Sequence, residues 1–191
     1  MTSRNINFTG MVLIVLLLLS VSNLASSDTI STLKAESAST QKNYYIEVSI
    51  SKCKLILYTV DADDNITPVR EYDVGTVSRG VDIIPQGLGK ITRIDFKPAW
   101  YPTEYTREIY KAKGIELPKA VPPGHPLNYM GTFKIHLSHS TSRGNIYRIH
   151  GNNNKKRVGK RVTGGCICMD NDEGLDLAKL ITVGTEVNIE M

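Results

Sequence analysis

Fifteen residues separate His150 from Cys166, and a second thiol, Cys168, follows two positions later, all within RIHGNNNKKRVGKRVTGGCICMDNDEGLDLAKLI at 148–181. An imidazole and a thiol can form a base and its nucleophile, thiols with histidines can hold a soft metal, and two thiols can close a disulfide. Cysteine attacks only as thiolate, so it needs a neighbouring imidazole or another positive influence. Gly164 and Gly165 stand just before Cys166. They let the backbone turn tightly and aim N–H groups at a developing oxyanion, the second requirement of acyl transfer. His150 ends the strand-like run NIYRIH and is followed at once by Gly151, while Cys166 emerges from TGG ahead of a helix. Both residues therefore stand where strands give way to loops. On spacing alone, a catalytic dyad and a buried pair without a role both stay open.

The compartment decides which chemistry is available. Residues 1–27 contain no acidic residue, carry Arg4, run through nine apolar residues from Met11 to Leu19, and end in the small-residue stretch NLASS. This is the layout of a secretory signal peptide, and its apolar run is well short of the ~20 residues of a membrane span. Cleavage is expected near Ser27; retention as an N-terminal anchor is the alternative, since Val21 and Leu24 extend the apolar stretch. The chain is expected to be exported, to the periplasm or cell envelope.

Cleavage would leave 164 residues with 22 Lys+Arg against 19 Asp+Glu, enough for one domain with a core. The basic residues are scattered, so no nucleic-acid partner is expected, whereas a mildly basic surface suits an anionic polymer such as a cell wall. Three cysteines cannot all pair with one another. Cys53, in KCKLILYTV, reads as a half-buried strand residue.

Residues 28–42 are rich in Ser and Thr, lack periodicity and read as a linker; 43–191 read as the domain. Within it, YYIEVSI, KLILYTV, VREYDV, GKITRID, GTFKIHL, NIYRIH and TEVNIEM alternate or are rich in β-branched and aromatic residues, and turn residues separate them. Seven such runs predict a mainly β fold, a sandwich or barrel. Two short helices are expected, at 102–114 and 170–181. The proline-rich IELPKAVPPGHPLNYM is no central strand and reads as a long irregular insertion.

Against these elements, IHG, a variable loop, TGGCICMDN and VGTEVNI resemble the signature of the L,D-transpeptidase catalytic domain. YYIEVSISKCKLILYTV, IPQGLGKITRID, KPAWYPTE and PPGHPLNYMGTFKIHLS are similar to its upstream segments, so the resemblance spans 43–191. It implies a β-sandwich-like catalytic domain that acts on peptidoglycan stem peptides without a cofactor or metal. Cys166 would attack the tetrapeptide donor, form a thioester and expel D-alanine. His150 would take the thiol proton and then activate the acceptor amine. Gly164, Gly165 and the Cys166 N–H would hold the oxyanion, with Thr163 and Gly151 in positioning places. The acceptor would be a second stem or an envelope lipoprotein amine; water in its place gives an L,D-carboxypeptidase.

The sequence departs from the family pattern at three places. Thr163 stands where serine is usual, Gly164 where histidine or arginine is often found, and Cys168 where an arginine that supports the active site is usual. Arg148, Lys160 and Arg161 are candidates to compensate, and Cys168 is a candidate redox partner that caps Cys166. Loss of the arginine keeps a non-catalytic peptidoglycan-binding domain of the same fold as an alternative. A metal-binding envelope protein is a further rival, from His136, His139, Cys166, Cys168 and Met169, although i,i+3 histidines on a strand face opposite sides. His125 reads as a loop residue.

Overall fold

The computed structural model describes residues 42–81, 84–141, 144 and 147–191. The expected signal peptide, and the expected linker apart from Lys42, lie outside the described residues. Alternating apolar residues lay down the sheet as the sequence predicts. In β1 (Asn43–Ser49) Ile46 and Val48 point inward, in β2 (Lys54–Val60) Leu55 and Leu57, in β6 (Phe133–Leu137) Phe133, Ile135 and Leu137, and in β10 (Glu186–Glu190) Val187 and Ile189. All are at most 2% exposed. At about 1.5–3 kcal/mol for each large side chain, this alternation fixes the register, because a one-residue slip would turn every one of them to solvent.

The remaining strands are β3 (Ile66–Asp73), β4 (Thr76–Val77), β5 (Gly87–Phe96), β7 (Arg148–His150), β8 (Arg161–Thr163) and β9 (Ile167–Cys168). Of the ten strands among the described residues, eight form one sheet in the order β3-β2-β1-β10-β5-β6-β7-β9, and β4 pairs with β8 in a second, two-stranded sheet. The large sheet curls round a single core, and the fold is mainly β. β3 closes one end, where only Tyr72 of the strand is buried and Pro68 is tolerated because an edge position needs fewer ladder donors.

Two helices complete the domain. α1 (Glu104–Lys111) buries no residue and is capped by Thr103, whose hydroxyl accepts from the Thr106 N–H at 3.2 Å. α2 (Asn171–Leu180) starts at Asp170, whose carboxylate accepts from the Asp172 N–H at 2.9 Å. It lays Gly174, Leu177 and Ala178 on the core. A Cβ on Gly174 would overlap Cε1 and Cζ of Phe133, which is itself fully buried. Alanine is worth about 1 kcal/mol over glycine in a helix, but overpacking a core costs about 1–3 kcal/mol. Gly174→Ala is therefore expected to lower the urea midpoint rather than raise it; a raised midpoint would show that Phe133 can move aside.

Two expectations need correction or completion. Cys53 is not a strand residue: it ends the turn between β1 and β2 with φ 56°, and its buried thiol faces the Ile50 carbonyl at 3.7 Å and the Thr76 hydroxyl at 3.4 Å. The chain must reverse there, and a left-handed residue does it. The proline-rich insertion forms no strand, as expected, and is held by a backbone bridge between Val121 and Trp100 and by the Asn128 amide. Asn128 donates to the Pro98 and Pro122 carbonyls at 2.9 and 3.0 Å and accepts from the Met130 N–H at 2.8 Å.

Candidate active site

The strand pair β7 and β9 brings the histidine and the cysteines together. It runs parallel with Ile149 opposite Ile167 and His150 opposite Cys168, which sets Arg148 alongside Cys166. The Met169 N–H donates to the His150 carbonyl at 2.9 Å and continues the ladder. Below it, asparagines lock the two loops. Asn171, the first residue of α2, accepts at Oδ1 from the N–H groups of Thr132 (3.2 Å) and Asn152 (3.1 Å) and donates from Nδ2 to the Asn152 carbonyl at 2.8 Å. Asn152 donates in turn to the Met169 carbonyl. The loop after the histidine is thereby tied to the segment after the cysteine. Gly151 is glycine for this reason, since a Cβ there would overlap Asn171 Oδ1.

His150 is 6% exposed, and its Nδ1 lies 2.5 Å from the Gly151 carbonyl. A carbonyl only accepts, so the proton sits on Nδ1 and Nε2 is left as the ring's acceptor. Burial pushes the imidazole down to about 4, against the opposing pull of the Gly151 and Tyr129 carbonyls, with Arg157 and Arg148 adding repulsion. Burial pushes the Cys166 thiol up, and Arg148 draws it back through its charge and through hydrogen bonds from its backbone and its guanidinium. At neutral pH the resting pair is thus imidazole and thiol, not imidazolium and thiolate.

The loop before Cys166 is held by Thr163, which ends β8 opposite Val77. Its buried hydroxyl accepts from the Gly165 N–H at 3.3 Å, and Gly165 has φ 149°. Gly164 is exposed. Cys168 is fully buried beneath Gly75, where a Cβ would overlap its Sγ, and its backbone exchanges bonds with Gly75 at 2.7 and 2.9 Å. No disulfide joins the three cysteines. Of the three candidate cations, Arg148 reaches the Cys166 sulfur, Arg161 spends its Nε on the Val77 carbonyl at 3.0 Å, and Lys160 is exposed. His136 engages Asp95 at 3.0 Å, His139 the Gly87 carbonyl at 3.0 Å, and the exposed His125 caps its own loop through the Leu127 N–H at 3.1 Å.

A cleft of about 470 Å³ opens over this pair, lined by His150, Thr163, Gly164, Gly165 and Cys166 and walled by aromatic residues. Trp100 packs on Tyr129 at 4.8 Å, Tyr110 donates its hydroxyl to that of Tyr129 at 2.8 Å, and Arg157 stacks over Tyr129 at 5.0 Å. Sequence reasoning missed this wall and the asparagine locks. The aromatics come from segments separated in sequence, while NNN after the histidine and MDN after the cysteine did carry a signal in their side-chain-to-backbone turn chemistry.

The sequence profile of the YkuD L,D-transpeptidase catalytic domain matches residues 43–189. The chain belongs to this family. Among curated relatives of the YkuD domain, "Probable L,D-transpeptidase YcfS" of Escherichia coli is 36% identical over 138 residues, 65% of this chain and 42% of its own length. "Probable L,D-transpeptidase YbiS" of the same organism is 30% identical over 140 residues, 73% of this chain and 43% of its own length. The chain thus spans less than half the length of either relative. L,D-transpeptidase 3 from Mycobacterium tuberculosis superposes with a TM-score of 0.52 over 78% of this chain and 62% of its own, at 14% identity, and so shares the YkuD fold.

Proposed function

We propose that this YkuD domain is a cell-wall L,D-transpeptidase that works through a Cys166 thioester and is exported to the envelope. The observation that carries the reading is the parallel β7–β9 pair, which delivers His150, Arg148 and Cys166 to one site beneath an open cleft. As the thiol attacks the carbonyl carbon of a donor tetrapeptide, Nε2 of His150 takes its proton. The glycine backbone ahead of Cys166 and the Cys166 N–H face the oxyanion that forms. Collapse breaks the C–N bond, the imidazolium returns the proton to the departing D-alanine amine, and the thioester remains. An acceptor amine then loses its proton to His150, attacks the thioester and expels the thiol.

The aromatic wall of Trp100, Tyr110 and Tyr129 supplies apolar surface for the stem, and Arg157 and Lys113 on its rim supply positive charge for peptide carboxylates. The deciding experiment incubates the purified protein with a disaccharide-tetrapeptide and follows the products by mass spectrometry. The expected result is loss of D-alanine, a Cys166-linked acyl-enzyme, and a cross-linked dimer when an amine acceptor is present. D-alanine loss with only tripeptide as product would make the enzyme a carboxypeptidase. Tetrapeptide that binds and is returned intact would make the domain a wall-binding module.

A further inference from the structure

Position 168, two residues after the nucleophile, carries a cysteine that is fully buried under Gly75. Its Sγ lies against Gly75, where an added Cβ would overlap it, and a thiol brings no positive charge to the site. A guanidinium reaches the site from another strand. Arg148 stands two residues before His150 on β7, so its side chain leaves the strand on the same face as the imidazole, and the register places it beside Cys166. Its Nε is buried with no hydrogen-bond partner among the described residues, and no carboxylate there pairs with it.

A half-buried guanidinium whose Nε is shut off from water and has no carboxylate partner favours an anion beside it. Arg148 from β7, Tyr147 just before it and Cys168 from β9 interact with the thiol, and His150 lines the same cleft. Tyr147 and Cys168 are both pushed up by burial, so neither supplies a negative charge at neutral pH. Arg157 acts on His150 and Cys168. The anion that Arg148 can meet is therefore the sulfur itself.

We propose that Arg148 is the cation of this active site, a catalytic residue that holds the Cys166 thiolate as it forms and again as it leaves the thioester. The inference deepens the transpeptidase reading, and its test needs no peptide substrate. Alkylation of Cys166 by iodoacetamide, localised by peptide mass spectrometry, is followed against pH in wild type, Arg148→Gln and Arg148→Lys. An opposite charge within ~4–6 Å shifts a pKa by about 1–3 units, so Arg148→Gln is expected to move the alkylation midpoint upward by about 1–2 pH units. Arg148→Lys should recover at least half of that shift. A profile unchanged in Arg148→Gln, or moved equally by both substitutions, overturns the proposal.

A second measurement covers failure of the glutamine variant to fold. In wild type labelled with 15N-arginine, the Arg148 Nε–H resonance is expected to move with the Cys166 titration and to lose that movement in Cys166→Ala. A resonance indifferent to the thiol also overturns the proposal. Because alkylation reads the sulfur alone, a protein that shows the shift yet releases no D-alanine would leave Arg148 in place and remove only the transpeptidase reading.

Discussion

Cys166→Ala abolishes both D-alanine release from the tetrapeptide and covalent labelling by a carbapenem, the β-lactam class that the family resemblance implies as an acylating agent. The expectation rests on which sulfur can be reached. Cys166 lines the cleft and is half-buried, whereas Cys168 has no exposed surface and Cys53 is held in the β1–β2 turn against Thr76. Removing a nucleophile removes the covalent route outright, so residual labelling should be below detection. Intact-protein mass spectrometry reads the result in one step. Labelling that persists in Cys166→Ala and disappears in Cys168→Ala would transfer the role to the second thiol and with it the meaning of the β9 register.

His150→Ala slows acylation by about 10²–10⁴, the usual contribution of a positioned base. The resting pair is neutral on both sides, so without the imidazole the thiol proton has to be lost to solvent through a buried site. The same burial sets the pH profile. An imidazole held at about 4 stays a competent base through pH 5, so the acid limb of wild-type acylation should lie near pH 4, below the ordinary histidine value of 6.5. A limb at 6–7 would show that burial does not depress His150 in the working enzyme.

Stability follows the same sign. The unfolded chain binds the His150 proton between pH 6.5 and 4 and the folded domain does not, so the stabilising difference is complete above 6.5 and is lost as pH falls toward 4. That loss is on the order of 3 kcal/mol, and His150→Gln should remove it from an acid-unfolding curve.

Much of this was legible in the residues. The apolar alternation of YYIEVSI, KLILYTV, GTFKIHL and TEVNIEM appears in the structure as four strands of one sheet, and the helix starts at Thr103 and Asp170 follow from their capping side chains. VREYDV overlaps the end of β3 as far as Asp73, and of NIYRIH the described residues give Arg148–His150 as β7. β4, β8 and β9 were not legible, because strands of two or three residues carry no period; their partners across the sheet define them. That His150 and Cys166 line one cleft could be inferred from motif order, but not which of Arg148, Lys160 and Arg161 stands beside the thiol. That choice depends on Ile149 meeting Ile167, a long-range register that no local pattern encodes.

β10 lies between β1 and β5, paired in parallel with one and antiparallel with the other. Within the large sheet the hairpin arm β1–β3 and the arm β5–β6–β7–β9, which carries the site, are therefore joined through residues 186–190, while Gly75 and β4 reach Cys168 and β8 outside that ladder. During synthesis both arms exist before the strand that joins them, and each presents an unpaired edge until it arrives. Productive folding of the sheet is thus deferred until β10 has been made, and its long-range closure makes it slow. The β7–β9 register that sets Arg148 alongside Cys166 belongs to that closed sheet. The reactivity proposed above for Cys166 is then an acquired property, conferred when β10 enters the middle of the sheet.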